Sequence, residues 1–327
     1  MLTRDLYYQL KPHSPWRLRL AARRFIARRK LDSIADRWPI SPVAGTVPVG
    51  WRGWPEEREF AFVITHDVEG PEGVAKCRKL AELEADLGFR SSFNFVPEGS
   101  YAVAPELRIR LAAEGFEVGI HDLHHDGKLY ASSGRFQKNA KRINQYAREW
   151  CAAGFRSGFM LHNLDWLHEL EIEYDASTFD TDPFEPQPEG AGTIFPFLVS
   201  RPGAPGYVEL PYTLPQDSTL FLVLGEKSPA IWMHKLDWVA QCGGMALVNV
   251  HPDYLCFPGE KPSARTFPVE HYVSLLQHVR DRHRGCYWHA LPRSVARFMR
   301  STSQNPKVRS RRSGQRAGAP INSTAAA

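Results

Sequence analysis

The sequence predicts an α/β fold built on a mostly parallel sheet, and three observations carry that reading. From residue 59 onward, short apolar runs alternate with stretches of helical period, the pattern of repeated strand–helix units. Acid and imidazole side chains follow directly on several of those runs, where parallel-sheet proteins place their sites. The chain has 327 residues, enough for one large core or two smaller ones, and it shows no internal repeat. Periodicity alone does not choose between a closed barrel and an open sheet.

Residues 60–64 form an unbroken apolar run and predict a buried strand. Residues 71–88 predict a helix, with Val74, Cys77, Leu80, Leu83 and Leu87 on one stripe. Residues 92–96 are strand-like. Pro105 opens the next helix as a good first-turn residue, and Gly115 marks its end. Residues 117–120 form a strand. Residues 134–153 form a long helix, with Phe136, Ala140, Ile143, Ala147, Trp150 and Cys151 facing inward. Residues 154–156 begin another strand, 164–170 a short helix, and 174–179 a strand. Residues 182–206 are dense in Pro and Gly and read as a functional loop or insertion. Segments 208–210 and 220–224 are strand candidates, 229–241 is helical, and 245–250 is an apolar strand ending at His251. A helix over 269–283, a strand over 286–288 and a helix over 292–300 complete the series.

Both ends differ from this body. Residues 1–30 carry nine Lys or Arg against Asp5, and residues 301–327 carry five basic residues and no acid. With a whole-chain charge of +5, residues 31–300 therefore carry a net −8, which argues against a nucleic-acid-binding fold. Leu18, Ala22, Phe25 and Ile26 recur at helical spacing among arginines and predict a basic amphipathic helix over 16–31. Its face suits either an anionic membrane surface or packing on the main domain. Residues 1–57 are read as this helix plus a wrapping segment rich in Pro, Gly and Trp, 58–300 as the catalytic domain, and 301–327 as a disordered basic tail. Five scattered cysteines form no C-x-x-C pair and suit a reducing compartment. Arginines interrupt every candidate leader, and no apolar stretch is long enough to span a bilayer, so the expected address is the cytoplasm, with peripheral contact at the inner membrane face through 16–31.

Two motifs carry the chemistry. Thr65-His66-Asp67-Val68-Glu69 ends the first apolar run, and His121-Asp122-Leu123-His124-His125-Asp126 ends the run at 118–120. Asp67 and Glu69 point the same way in an extended segment. His121 and His125 share a face if the chain turns helical, with His121 and His124 as the alternative. Two imidazoles and one carboxylate make a three-ligand site with an open position for water. The competing reading is that Asp67 or Glu69 caps the helix beginning at 71. His251, in Asn249-Val250-His251-Pro252-Asp253-Tyr254, can donate a proton near neutral pH. Arg156 can hold a carboxylate ionised. One of Asp175, Asp180 and Asp182 could orient His251, with Asp180 the preferred candidate; turn chemistry explains the three equally well.

These pieces, in this order, resemble the polysaccharide deacetylase family, the chitin and peptidoglycan deacetylase type of carbohydrate esterase, over residues 58–300. The resemblance implies a distorted (β/α) barrel of about seven strands. It implies Asp67 as base, Glu69, His121 and His125 as metal ligands, Arg156 as partner of the base, the Phe159 backbone N–H as an oxyanion donor, and His251 as acid. The metal it implies is Zn²⁺, with Co²⁺, Mn²⁺ or Ni²⁺ as substitutes. The implied reaction is hydrolysis of an N-acetyl or other acyl group on a sugar or glycan precursor by a water activated at the metal. Three departures stand out. The metal-binding acid is displaced by one residue and is a glutamate, Ser157 and Gly158 replace prolines, and Asn249 stands where the family has a leucine lining the acyl pocket. That last change leaves open another carbon–nitrogen amidohydrolysis, of a ureide or imide. A non-catalytic sugar- or metal-binding relative is the other alternative.

Overall fold

The computed structural model of the chain describes residues 16–303, apart from Asp32, Ala35 and Ala204. The elements run α1 (Trp16–Leu31), β1 (Phe60–Val68), α2 (Pro71–Asp86), β2 (Ser92–Phe95), α3 (Pro105–Ala113) and β3 (Glu117–His121). They continue α4 (Ser133–Trp150), β4 (Gly154–Arg156), β5 (Tyr174–Asp175), β6 (Phe197–Val199), β7 (Tyr207–Glu209) and a π-helix over Ser218–Leu224. Then follow α5 (Ala230–Cys242), β8 (Met245–Asn249), β9 (Leu255–Cys256), β10 (Phe267–Pro268), α6 (Val269–Arg282), β11 (Tyr287–His289) and α7 (Pro292–Ser303).

The sheet curls into a distorted barrel. β1 pairs in parallel with β8 along one edge and with β2 and β11 along the other. Parallel pairing then passes from β2 to β3, β4, β5 and β7, and β6 is the antiparallel flap on β7. No ladder joins β7 to β8. The seam is closed by residues after β7: the Thr213 and Leu214 amides both donate to the Leu247 carbonyl at 3.1 Å. The Thr213 hydroxyl accepts from the Leu247 amide at 3.0 Å and donates to the Met245 carbonyl at 2.8 Å.

Strand parity divides the core. All nine residues of β1 are buried, as expected of a strand covered on both faces. Phe60, Phe62 and Ile64 point outward and pack under α2, α5 and α6 with Leu80, Trp232, Leu236, Tyr272 and Leu276. Ala61 and Val63 point inward and meet Trp54, Tyr174, Met245 and Leu247 in the barrel interior. Each such large side chain contributes about 1.5–3 kcal/mol of transfer free energy. From the segment before β1, Trp54 lies 5% exposed in that interior, and its indole N–H donates to the Gly243 carbonyl at 2.9 Å.

Several expectations are corrected here. Residues 220–224 belong to a π-helix, not a strand, and the segment packs on Trp232 and α1. α4 ends at Trp150, and Cys151 is its exposed left-handed cap at φ 53°, not an inward residue. The last helix runs on to Ser303, and the rest of the predicted tail lies outside the described residues. α1 is helical as expected, but Phe25 and Ile26 face outward, at 57% and 63% exposure. Ala27 is the buried contact, and Arg24 and Lys30 tether the helix by donating to the Leu222 and Pro183 carbonyls. Among the described residues, no helix is long and apolar enough to cross a membrane.

Candidate active site

The inward register that packs Ala61 and Val63 at the lower end of β1 becomes polar at the upper end, where it continues as Thr65 and Asp67. Neighbouring strands repeat this. Asp67 lies beside Asn94, His121 beside Arg156, and Asn249 beside Thr65. All six are buried, at 0–4% exposure. The top of the barrel is therefore a closed polar layer with a single carboxylate near its centre.

Asp67 is clamped from two sides. Its Oδ1 accepts from the Asn94 amide at 3.0 Å, and its Oδ2 accepts from the Asn249 amide at 2.8 Å. Arg156 Nη1 lies 3.5 Å from Oδ2, an ion pair rather than a hydrogen bond. Burial works against ionisation here, but His121, Arg156, His251 and the Asn94 bond outweigh it and hold the carboxyl well below its usual range. Gly119 leaves the room that Asn94 occupies, since a Cβ there would strike its side chain.

Glu69, His121 and His125 converge, with ligand atoms all within 4.8 Å of one another. His121 Nδ1 donates to the Arg156 carbonyl at 3.1 Å, which fixes the tautomer, and its buried Nε2 has no hydrogen-bond partner. His125 Nε2 lies 3.2 Å from Glu69 Oε1, and Tyr254 donates to Glu69 Oε2 at 2.6 Å. An orphaned imidazole nitrogen, a second imidazole and a carboxylate held well below its usual range form a donor set that fits a divalent metal ion.

The two histidines do not meet through a helical turn, as their spacing suggested. Residues 122–126 are irregular, with left-handed φ at Asp122 (57°) and His125 (53°), and that loop brings the rings to 4.8 Å. Gly158 makes it possible, because a Cβ there would sit 2.7 Å from both the Asp122 carboxylate and the His125 ring. Phe159 stacks on His125 with centroids 4.5 Å apart and itself takes φ 59°. His124 turns away, with Nδ1 3.5 Å from Glu98. Nor do Asp67 and Glu69 cap the next helix. Asp253 does that from the far side of the site, accepting from the Glu69 amide at 2.9 Å and the Gly73 amide at 3.1 Å.

His251 stands across from the ligands, its Nε2 3.8 Å from Glu69 Oε1. Asp180 does not orient it. Asp180 pairs with buried Lys235 at 2.9 Å, Asp182 with Tyr212 and Asp175 with Ser177. The orienting acid is Asp217, at the start of the π-helix, which accepts from His251 Nδ1 at 2.6 Å and from the His251 amide at 2.7 Å. Burial favours the neutral ring, but Asp217 overrides it and raises His251 to about 10. Asn249 does not present its side chain to an acyl pocket, because it is fully buried between Asp67 and the Thr65 hydroxyl, which donates to its oxygen at 3.1 Å.

Asp217, Asn94 and Tyr254 are the functional side chains that sequence reasoning missed. For Asn94 a signal existed: the alternation in Ser92-Phe93-Asn94-Phe95 puts two polar residues on one face of a buried strand.

No family model matches the sequence, and no curated relative does. A solved structure from Mycobacterium smegmatis, assigned as a polysaccharide deacetylase, is similar over 81% of this chain and 98% of its own, with TM-score 0.57 and 17% identity. A 4-alpha-glucanotransferase from Thermococcus litoralis matches 73% of this chain and 40% of its own, at TM-score 0.48 and 13% identity. A family 4 carbohydrate esterase from Streptomyces lividans in complex with acetate matches 69% of this chain and 90% of its own, at TM-score 0.42 and 12% identity. The last two are too distant to carry an argument. The first, at TM-score 0.57, shows that the chain has the polysaccharide-deacetylase fold, a distorted (β/α) barrel.

Proposed function

We propose that this chain is a metal-dependent hydrolase that removes an acyl group, N-acetyl first, from a sugar or glycan precursor. The observation that carries this is the placement of Asp67 and His251 on either side of the Glu69, His121 and His125 cluster. A divalent ion held by those three residues would supply a Lewis acid for the acyl carbonyl and lower the pKa of water. Asp67, kept ionised by Arg156, takes the proton of the attacking water at a carboxylate oxygen. His251, kept protonated by Asp217, gives its Nε2 proton to the departing nitrogen. Phe159 is offered as the backbone donor to the developing oxyanion. The test is acetate release from a panel of N- and O-acetylated sugars, with and without chelator. Failure to release acetate from every member, or indifference to chelation, overturns the reading.

A second reading is favoured by Asn249. Its side chain is turned onto Asp67 and Thr65, so the apolar wall a leucine would give an acetyl pocket is missing there, which suits opening of a cyclic ureide or imide. Turnover of such a ring with none of the acetylated sugars would select it. We further propose that α1 works at an anionic membrane face, because exposed Phe25 and Ile26 sit among Arg23, Arg28 and Arg29. Protein that stays in the supernatant with anionic liposomes removes that idea.

A further inference from the structure

At the opposite end of the barrel a second set of metal-binding side chains meets. Asp237 comes from α5, His278 from the last turns of α6 and His283 from the cap of α6. Their ligand atoms also lie within 4.8 Å of one another. His278 Nε2 and His283 Nε2 approach Asp237 Oδ1 at 2.8 Å and 2.7 Å. Arg282 Nε takes the other oxygen, Oδ2, at 3.1 Å. The three side chains are 14–22% exposed, sheltered but open to an incoming ion.

The cluster is fixed in place independently of any ion. The His283 ring packs edge-on against Phe60, centroids 5.2 Å apart, and its backbone amide donates to the Val279 carbonyl at 3.2 Å. Phe60 begins β1 while Asp67 lies near its end, so roughly 23 Å of extended strand separates this cluster from the hydrolase site. The His278 and His283 rings are 5.7 Å apart at 66°, so their edges converge from two directions.

We propose that Asp237, His278 and His283 bind a second divalent transition-metal ion of the zinc class, which ties the end of α6 to α5. Two imidazoles with one carboxylate are a borderline-soft set that suits Zn²⁺ over Mg²⁺ or Ca²⁺. With metal–ligand bonds of about 2.0–2.1 Å, tetrahedral donors stand roughly 3.3 Å apart. The two Nε2 atoms therefore need retreat from Oδ1 by only about half an ångström, with each ring proton moving through solvent from Nε2 to Nδ1 so that the neutral imidazole offers its Nε2 lone pair. Arg282 stays on Oδ2 and leaves Oδ1 to the ion.

The test uses the full chain, stripped with chelator and equilibrated with Zn²⁺, and counts bound zinc per chain while recording the melting temperature. His283→Gln and Asp237→Asn should each bind one zinc fewer than the unsubstituted chain and lose part of the zinc-induced rise in melting temperature. Their hydrolytic activity should be unchanged. Equal zinc counts in the unsubstituted chain and both variants overturn the proposal. The reading is a difference, so it stands or falls whether or not the upper site holds zinc. Melting of the metal-free variants establishes that they fold, and His278→Gln replaces either one that does not.

Discussion

His66 and His251 are both imidazoles bonded to a buried acid, and they end with opposite capacities. His66 has both ring nitrogens engaged: Nδ1 donates to the Val250 carbonyl at 2.8 Å, and Nε2 meets Glu84 Oε1 at 2.6 Å. Glu84 also accepts from Ser91 and Tyr272, so the whole group is closed. His251 is held by Asp217 through Nδ1 alone, and its Nε2 faces Glu69 and the ligand cluster. His66 sits one residue from Asp67, inside the same motif, yet the pleat sends it outward to the helices and Asp67 inward to the site. A histidine–carboxylate pair is thus equally good cement or machinery, and the nitrogen left open decides which.

Three experiments bear on that contrast, from the largest expected effect to the smallest. His251→Gln should lower kcat about 10²–10⁴-fold, the usual worth of a positioned general acid, a loss out of proportion to the stability forfeited with the Asp217 pair. Initial rates at saturating substrate check it, and near-normal turnover would remove His251 from the chemistry. Glu84→Ala should do the reverse. It strips three buried groups of one shared partner and should cost about 3–5 kcal/mol in urea unfolding, with kcat per folded molecule retained. Should turnover fall as far as stability, the pair is not merely cement.

Asp217→Asn should cost on the order of tenfold in kcat, since the ring stays in place but loses the charge that holds its proton. It also carries a pH signature in chelated protein. His251 is raised from 6.5 to about 10 in the folded chain, so the stabilisation is complete below about pH 6.5 and is lost as pH rises through about 10. The stability gap between the unsubstituted chain and Asp217→Asn should therefore close over that window. A gap constant with pH would show that Asp217 contributes packing rather than charge.

Much of the site was legible because its residues end long apolar runs. Asp67, Glu69, His121 and His251 each follow an apolar run that reads as a buried strand, and Arg156 a short strand start, so their position at a strand mouth came with the pattern. The unread parts depend on contacts that no local pattern encodes. Asp217 sits in a turn-like Leu-Pro-Gln-Asp-Ser stretch, followed by an apolar run whose composition suits a strand and whose surroundings make it a π-helix. Asp175, Asp180 and Asp182 are equivalent by sequence, and only the position of Lys235 and Tyr212 shows that they face elsewhere. The convergence of His121 and His125 rests on a left-handed loop and on the missing Cβ of Gly158, neither of which follows from a spacing of four.

The seam at Thr213 has a consequence for how the protein opens. Every other junction in the ring is a backbone ladder, whereas this one ties Thr213 and Leu214 to Met245 and Leu247, with Thr213 bonding partly through its hydroxyl. Four positions further on, the same strip of chain carries Asp217. Loosening the ring at its narrowest tie would draw Asp217 away from His251, so the first amides there to exchange with solvent should report the loss of the proton donor.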